Sequence, residues 1–396
     1  MTTGRKVFAI GTDEAGYGPN LGPLLVGASC WTIETNEPIN RAPESPAVCV
    51  PTAENRPIKK KKKRAPTGPT LFDLEEESNR PQTPDLEFTR RLIDRMNAAL
   101  EPIANRKGIF PLVDSKKLYA SKSLAALERS FLLAVALVNP AASQNATFRS
   151  TLENVAHERG ENVPPPWEEG FDLPLPVDSK TGSANDLLAR LAQVQTRLDA
   201  EKIALVDLAA RRVQPREFNA LLDRLGLKSD LIGDVTTSLV VETIARTCGQ
   251  AKEPDYIALC DKLGGRDRYA PLLAKRFPGA TTSIIKESRD ASVYRLIATS
   301  GRDRNGEEIA FASPVRLEIR FTAKGESNAP TALASICAKY LRELSMDAFN
   351  AYWRGQVGES LKPTAGYPVD ALRFRDDVRE TREKLGIPDD VFWRKK

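Results

Sequence analysis

The chain has 396 residues, of which 41% are hydrophobic, and its net charge is +5 from 58 basic and 53 acidic side chains. No apolar run approaches the roughly 18 residues of a membrane span and no secretory leader opens the sequence, so we expect a cytoplasmic protein without a membrane partner. Five scattered cysteines and one histidine, His157, argue against a zinc site and against His-dependent nucleophilic catalysis. The run Lys59–Arg64 carries six of the positive charges, so any nucleic-acid surface on the remainder is a local patch.

The first informative segment is GTDEAGYGPNLGP, which begins at residue 11. Val7–Thr12 predicts a buried strand, the adjacent acids Asp13 and Glu14 follow, and a glycine-rich turn over 16–22 leads to a second strand at Leu24–Ile33. Carboxylates at the end of a buried strand are costly without a partner, and a metal ion is the usual one. The alternative is an aspartate that caps a surface helix.

Two irregular stretches interrupt the rest of the chain. Residues 34–85 hold nine of the 28 prolines and the lysine run, which predicts a disordered insertion. The lysine run fits a nuclear signal, a nucleic-acid tether or a plain charged loop equally well. Residues 139–200 predict a second insertion, proline-rich and then helical. We therefore predict one catalytic core from 1–33, 86–138 and 201–376, followed by a polar helical tail over 377–396.

Strands and helices alternate within that core. Apolar runs predict strands at Ile203–Leu208, Asp255–Cys260 and Val293–Thr299, and Val315–Phe321 alternates as a strand with one buried face. Asn305 and Gly306 predict a hairpin turn between the last two strands. Helical patterns cover 86–100, 121–138, 187–198, 218–227, 235–247 and 333–344. The predicted class is α/β, with a mixed sheet flanked by helices and a helical C-terminal part.

Three further acids share the setting of Asp13. Asp261 ends a predicted strand, Glu326 lies between a strand and a helix, and Asp114 follows an apolar run. Carboxylates about 4 Å apart repel by roughly 4 kcal/mol at moderate dielectric, so a cluster of them requires cations. Mg²⁺ favours a few carboxylates with water and phosphate, and two such ions assist phosphodiester cleavage. Taken singly, each acid is more often a cap or a solvated loop residue.

Six blocks in order resemble the type 2 ribonuclease H family, ribonuclease HII, and cover about half of the chain. The residues that carry the resemblance are DEAGYGPNLGP from Asp13, VDSKKLY from Val113, VQPREFN from Val213, DYIALCD from Asp255, KGES with ALASICAK from Lys324, and TAGYP from Thr364. The related ribonuclease HIII group carries an additional N-terminal domain, and the short segment before Asp13 favours the HII branch.

The resemblance implies an RNase H-like fold and a Mg²⁺- or Mn²⁺-dependent endoribonuclease that cleaves the RNA strand of RNA–DNA hybrids or cleaves at embedded ribonucleotides. It implies products with 3′-hydroxyl and 5′-phosphate ends. Oligomeric state is open, with a monomer favoured. The implied catalytic and metal-binding residues are Asp13, Glu14, Asp261 and Glu326. The implied substrate-binding residues fall into two groups: those that sense the sugar 2′-hydroxyl at an RNA–DNA junction, Gly16, Tyr17, Gly18 and Tyr367, and those that face phosphate, Lys116, Lys117 and Lys339.

The chain departs from the family pattern at several positions. Tyr17 stands where the family has an arginine between two glycines, Ala365 replaces a lysine, and Glu326 stands where the family has an aspartate. Asp114 falls in a block that shapes the site, and capping of a turn is its expected role. Because Tyr17 changes the glycine triplet, the sequence leaves open whether the protein selects RNA–DNA junctions. Two alternatives therefore remain: a nuclease with another nucleic-acid substrate, and a nucleic-acid-binding relative without catalysis.

Overall fold

The computed structural model describes residues 5–36, 86–105, 107–113, 115–119, 123–143, 145–157, 164–323 and 328–395. Within them, seven strands form one sheet in the order β3-β2-β1-β4-β7-β6-β5. The predicted insertion at 34–85 falls almost entirely outside the described residues. The strands are β1 Arg5–Ala15, β2 Leu24–Thr35, β3 Ile203–Val213, β4 Asp255–Asp261, β5 Thr281–Glu287, β6 Ala291–Arg302 and β7 Glu308–Thr322.

The sheet is mixed, as the sequence predicts. Strands β1, β2 and β3 pair antiparallel, β4 runs parallel to both β1 and β7, and β5, β6 and β7 form an antiparallel meander. Alternate residues of β1 enter different cores: Val7 and Ala9 pack on one face, and Phe8 and Ile10 on the other. Both faces are covered, which explains why the strands read as continuous apolar runs.

Helices cover both faces of the sheet, and their bounds are α1 Leu86–Ala104, α2 Ser115–Leu118, α3 Ala125–Val138, α4 Pro140–Ser143, α5 Phe148–Val155, α6 Ala184–Glu201, α7 Pro215–Leu225, α8 Lys228–Thr247, α9 Ala270–Arg276, α10 Ala329–Val357, α11 Pro368–Asp377, α12 Arg379–Lys384 and α13 Asp389–Phe392. The long helix α10 packs on the face of Val7, and α8 packs on the face of Phe8. Within the described ranges, no helix has the length and apolar character required to cross a membrane.

Two strand glycines let α10 approach the sheet closely. A Cβ at Gly11 would lie 2.2 Å from the carbonyl carbon of Pro330, and one at Gly27 would lie 2.2 Å from the carbonyl oxygen of Ala334. The Ser29 hydroxyl donates to the Pro330 carbonyl at 2.8 Å. The start of α10 is thus fixed against the centre of the sheet at β1 and β2.

The second irregular stretch is more ordered and more buried than its proline content predicts. It contains α4, α5 and all but the last residue of α6, and Phe148 and Trp167 are buried at 2% exposure. The Trp167 ring meets Phe349 of α10 edge-on, with centroids 5.0 Å apart. Aromatic burial therefore anchors residues 164–170 to the core, while the predicted domain boundaries stay a prediction.

The C-terminal part is helical, as predicted, but its last residues are buried where a polar tail was expected. Helices α11, α12 and α13 surround a third apolar cluster that includes Leu21, Phe374 and Phe392. Arg394 has no exposed surface. The prediction of a polar tail was wrong in this respect, because isolated aromatic residues among charges do not show a periodic apolar face.

Candidate active site

Asp13 and Asp261 lie towards the same end of two neighbouring parallel strands. The β1–β4 register runs from Val7 opposite Asp255 to Gly11 opposite Leu259, where the pairing ends. Asp13 and Asp261 each lie two residues beyond this last pair and are therefore level in register. Both belong to the face of α10, since side chains alternate along a strand. Asp13 is 6% exposed and lies within β1, so the alternative of a helix-capping aspartate is wrong.

The N-terminal end of α10 lies beside this pair of aspartates. Gly27, which approaches the Ala334 carbonyl closely, is the β2 partner of Asp13. Asn328 caps the helix by accepting a hydrogen bond from the Thr331 amide at 3.0 Å. The positive end of the helix dipole is favourable for nearby carboxylates. Hydrogen bonding and packing therefore both fix the helix end close to Asp13.

The other two predicted metal ligands are Glu14 and Glu326. Glu14 is partly buried and is opposite Val26, so strand alternation directs it to the face opposite Asp13. Glu326 and Asp114 lie outside the described residues. In the part of the chain that the structure describes, no group of three or more His, Cys, Asp or Glu side chains is arranged to hold a metal. The level pair Asp13 and Asp261 nevertheless supplies the hard oxygen donors that Mg²⁺ and Mn²⁺ prefer, so these residues fit such an ion.

The glycine turn that follows β1 packs tightly on α10. Gly16 and Gly22 have φ values of +87° and +75°, which L side chains rarely adopt. A Cβ at Gly16 would lie 2.6 Å from Nε of Arg342, and one at Gly22 would lie 2.2 Å from the sulfur of Met346. These glycines are therefore required both by backbone conformation and by space.

The structure brings Tyr17, Gly18 and Tyr367 to one surface. Tyr17 is 39% exposed and Tyr367 is 55% exposed. A Cβ at Gly18 would lie 3.9 Å from the Tyr367 ring. The amide of Asn20 donates to the Gly366 carbonyl at 2.8 Å, which joins the two turns. The residues predicted to read the sugar thus share one exposed patch, although they are about 350 positions apart in the chain.

The predicted phosphate-binding lysines lie on two helices that pack together. Ser115 of α2 and Ser335 of α10 form a hydrogen bond of 2.9 Å. Lys339 of α10 places its ammonium 4.9 Å from the centre of the Tyr119 ring. Burial and the nearby Glu343, which accepts the Tyr119 hydroxyl hydrogen at 2.9 Å, raise the pKa of Tyr119. Lys116 and Lys117 are on α2, and their side chains lie outside the described part.

Beside the Asp261 end of β4 lies a basic cavity that the sequence analysis missed. The cavity is about 430 Å³. The loop that forms one wall meets Tyr17, because a Cβ at Gly264 would lie 3.9 Å from the Tyr17 hydroxyl. The sequence feature that could have revealed this cavity is the run GGRDRY, which follows Asp261 closely and contains two arginines. The charged residues of the lining are Arg224, Arg266, Arg268, Lys275, Asp230 and Asp234.

Two buried arginines below the glycine turn were also missed. Arg342 is 4% exposed and donates to the Ala365 carbonyl at 2.8 Å. Arg394 is fully buried and donates to the Gly16 carbonyl at 2.7 Å. Burial lowers the pKa of both, and together with the neighbouring charge of Arg342 it lowers the pKa of Arg394 to about 9. A charged residue at the end of a chain gives no sequence signal of burial.

Comparison with known proteins gives structural neighbours and no sequence relatives. No protein-family model matches the chain, and no match was found among curated proteins. Among solved structures, ribonuclease H2 from Pyrococcus horikoshii OT3 is 14% identical with a TM-score of 0.35, covering 98% of this chain and 92% of that chain. Bst-RNase HIII in complex with Mn²⁺ is 12% identical with a TM-score of 0.32, covering 98% and 66%. A mutant protein of Bst-RNase HIII is 13% identical with a TM-score of 0.33, covering 96% and 64%.

Proposed function

We propose that this protein is a Mg²⁺- or Mn²⁺-dependent endoribonuclease of the type 2 ribonuclease H kind, which cleaves the RNA strand of RNA–DNA hybrids. The observation that carries the proposal is the parallel β1–β4 register, in which Asp13 and Asp261 each follow the last pair, Gly11 and Leu259, by two residues. The six ordered sequence blocks support it. A location in the cytoplasm and a monomeric state stay predictions.

Asp13 and Asp261 would hold the metal, and the sequence resemblance adds Glu326 to them, whereas Glu14 is directed to the other face of β1. When bound, Mg²⁺ or Mn²⁺ supplies Lewis-acid stabilisation of the phosphodiester and of its leaving oxygen. The role of the carboxylates is to offer negative charge and oxygen donors that hold the cation beside β1. His157 is the only histidine and belongs to none of the six blocks, so no imidazole is assigned to proton transfer.

The surrounding side chains would bind and orient the duplex. Tyr17 and Tyr367 offer exposed rings that can stack on a sugar or base, and the amides of the glycine turn can reach a 2′-hydroxyl. Lys116, Lys117 and Lys339 would contact backbone phosphates. The lining of the cavity after β4 has four basic and two acidic side chains, so it carries a net positive charge that favours the polyanion.

The decisive experiment measures cleavage and binding of a labelled RNA–DNA hybrid with Mg²⁺ or Mn²⁺. Asp13→Asn is expected to lower kcat at least about 100-fold and to retain hybrid binding, because one ligand charge is lost at the reacting phosphate. Asp199→Asn, on the exposed face of α6, is the matched control and should behave as wild type. Binding without cleavage in the wild-type protein would favour the non-catalytic alternative.

A nuclease with another substrate is the second candidate, and the exposed Tyr17 favours it. The arginine expected from the family pattern would contact phosphate, whereas a tyrosine stacks. Cleavage of a long hybrid is to be compared with cleavage of a duplex that contains one embedded ribonucleotide. Cleavage of the hybrid, or cleavage at the embedded ribonucleotide, supports the first proposal. Activity on another nucleic acid alone supports the second.

A further inference from the structure

The last residues of the chain pair with the glycine turn. The Arg394 amide donates to the Asn20 carbonyl at 2.8 Å, and the Asn20 side-chain amide donates to the Arg394 carbonyl at 3.0 Å. These two bonds join positions 374 residues apart. The C-terminal segment is therefore part of the wall that supports the turn after Asp13 and Glu14.

The guanidinium of Arg394 lies beneath the turn and holds two of its carbonyls. One terminal nitrogen, Nη2, donates to the carbonyl of Gly16 at 2.7 Å and also to the carbonyl of Pro19. The guanidinium carbon stands 4.8 Å from the centre of the Phe218 ring. No solvent reaches the side chain.

This contact sets the direction of the amide that follows Gly16. A trans peptide unit is planar, with its carbonyl and N–H on opposite sides. Because the Gly16 carbonyl points to Arg394, the N–H of Tyr17 points away from it. Arg394 thereby fixes the orientation of the peptide between Gly16 and Tyr17, next to the exposed tyrosine ring.

The segment that carries Arg394 is itself anchored to α7. The Asn219 side-chain amide donates to the Trp393 carbonyl at 2.8 Å, and its carbonyl accepts from the Lys395 amide at 2.8 Å. Lys395 also forms an ion pair with Asp223, which is solvent-exposed. Phe392 is buried in the third apolar cluster. The residues that precede and follow Arg394 in the chain are therefore both anchored.

The burial of this arginine costs stability. Its Nε and Nη1 have no hydrogen-bond partner among the described residues. Burial first, and then the positive charge of Arg342, lower its pKa. An unpaired buried charge is destabilising, and an apolar residue of similar volume often is not. The fold alone therefore gives little reason for an arginine at this position.

We propose that Arg394 is a positioning residue, which orients the Gly16–Tyr17 peptide and so prepares the glycine turn to bind substrate. The proposal rests on the proposed function, because it assigns that turn to the sugar–phosphate of the substrate. Arg394 acts only through the turn and contacts no reacting atom. Arg342 also packs against Gly16, where a Cβ would lie 2.6 Å from its Nε, and it donates to the Ala365 carbonyl at 2.8 Å.

The test compares Arg394→Met, Arg394→Lys and Lys395→Met in the full chain. Amide hydrogen exchange across residues 16–22 reports the turn directly and requires no activity. Arg394→Met should speed this exchange about tenfold, the effect of losing one hydrogen bond to a charged group. Arg394→Lys should restore part of the protection, and Lys395→Met, which loses only the exposed ion pair, should match wild type.

Kinetics with the RNA–DNA hybrid provide the second readout. Arg394→Met should raise KM about tenfold and leave kcat within about threefold, because the carboxylates are untouched. Wild-type exchange and KM in Arg394→Met would overturn the proposal. If wild type cleaves no hybrid, the proposed function fails, and altered exchange of the turn would still show that Arg394 positions it. If Arg394→Met does not fold, Arg394→Lys carries both measurements.

Discussion

Glu128 of α3 provides a quantitative test of how the second irregular stretch is tied to the core. The carboxylate is fully buried and accepts four hydrogen bonds. One oxygen accepts from the Val177 amide and the Tyr340 hydroxyl, each at 2.6 Å. The other accepts from the Asp178 amide at 3.0 Å and from the Thr181 hydroxyl at 2.5 Å. Glu128→Ala leaves all four donors without this acceptor.

The cost of Glu128→Ala follows from which donors water can replace. Residues 177 and 178 are at least partly exposed, so solvent can hydrogen-bond their amides after the mutation. Tyr340 and Thr181 are 0% and 1% exposed, so their hydroxyls lose a charged partner without replacement. With roughly 1.5–2.5 kcal/mol for each of the two buried hydroxyls, we expect a loss of about 3–5 kcal/mol in the free energy of unfolding.

Thermal and denaturant unfolding measure this loss. At roughly 2 °C per kcal/mol for a large domain, Tm should fall by about 6–10 °C. Glu128→Gln keeps one acceptor oxygen and should lie between wild type and Ala, and Glu153→Ala on the exposed face of α5 is the control. A change in Tm of less than about 2 °C in Glu128→Ala would refute the reasoning, because it would mean that this network contributes little to the fold.

A further prediction concerns the packing of α10 on β1. Gly11→Ala puts a methyl group 2.2 Å from the backbone of Pro330 and Thr331, so we expect a loss of about 3 kcal/mol in unfolding free energy. Gly249→Ala, which meets no atom within 4 Å, should be close to neutral. Thermal and denaturant unfolding of both variants measure the difference, and equal stability of the two would contradict the close approach of α10 to Gly11.

Local patterns in the sequence were sufficient for the class of fold and for the main elements. The alternation in β7 and the apolar runs of β1, β2 and β4 report burial within a few residues, so strands could be placed without knowledge of the whole. The edge strand β5 was missed, because exposed and partly exposed residues interrupt its apolar pattern. The sequence predicts too little order for the proline-rich stretch after α3, because the buried Trp167 is one isolated aromatic residue and gives no periodic pattern.

Some features of the candidate site were also visible in the sequence, and others only in the tertiary structure. Asp13 followed by a glycine turn and Asp261 at the end of an apolar run were visible in the sequence, because strand ends and glycines have local signatures. Their level placement was not visible, because the register of β1 against β4 depends on pairing across about 250 residues. The exposed patch of Tyr17 and Tyr367, the basic cavity and the buried Arg394 likewise depend on which distant segments pack together.

The sequence by itself determined the alternation of strands and helices, the carboxylates at strand ends and the glycines at the turn. Only the tertiary structure decided which of these residues become neighbours and which charges become buried. The reason is physical: backbone propensity and the periodicity of apolar residues act over one or two turns of chain, whereas register and burial arise when whole faces are withdrawn from water together.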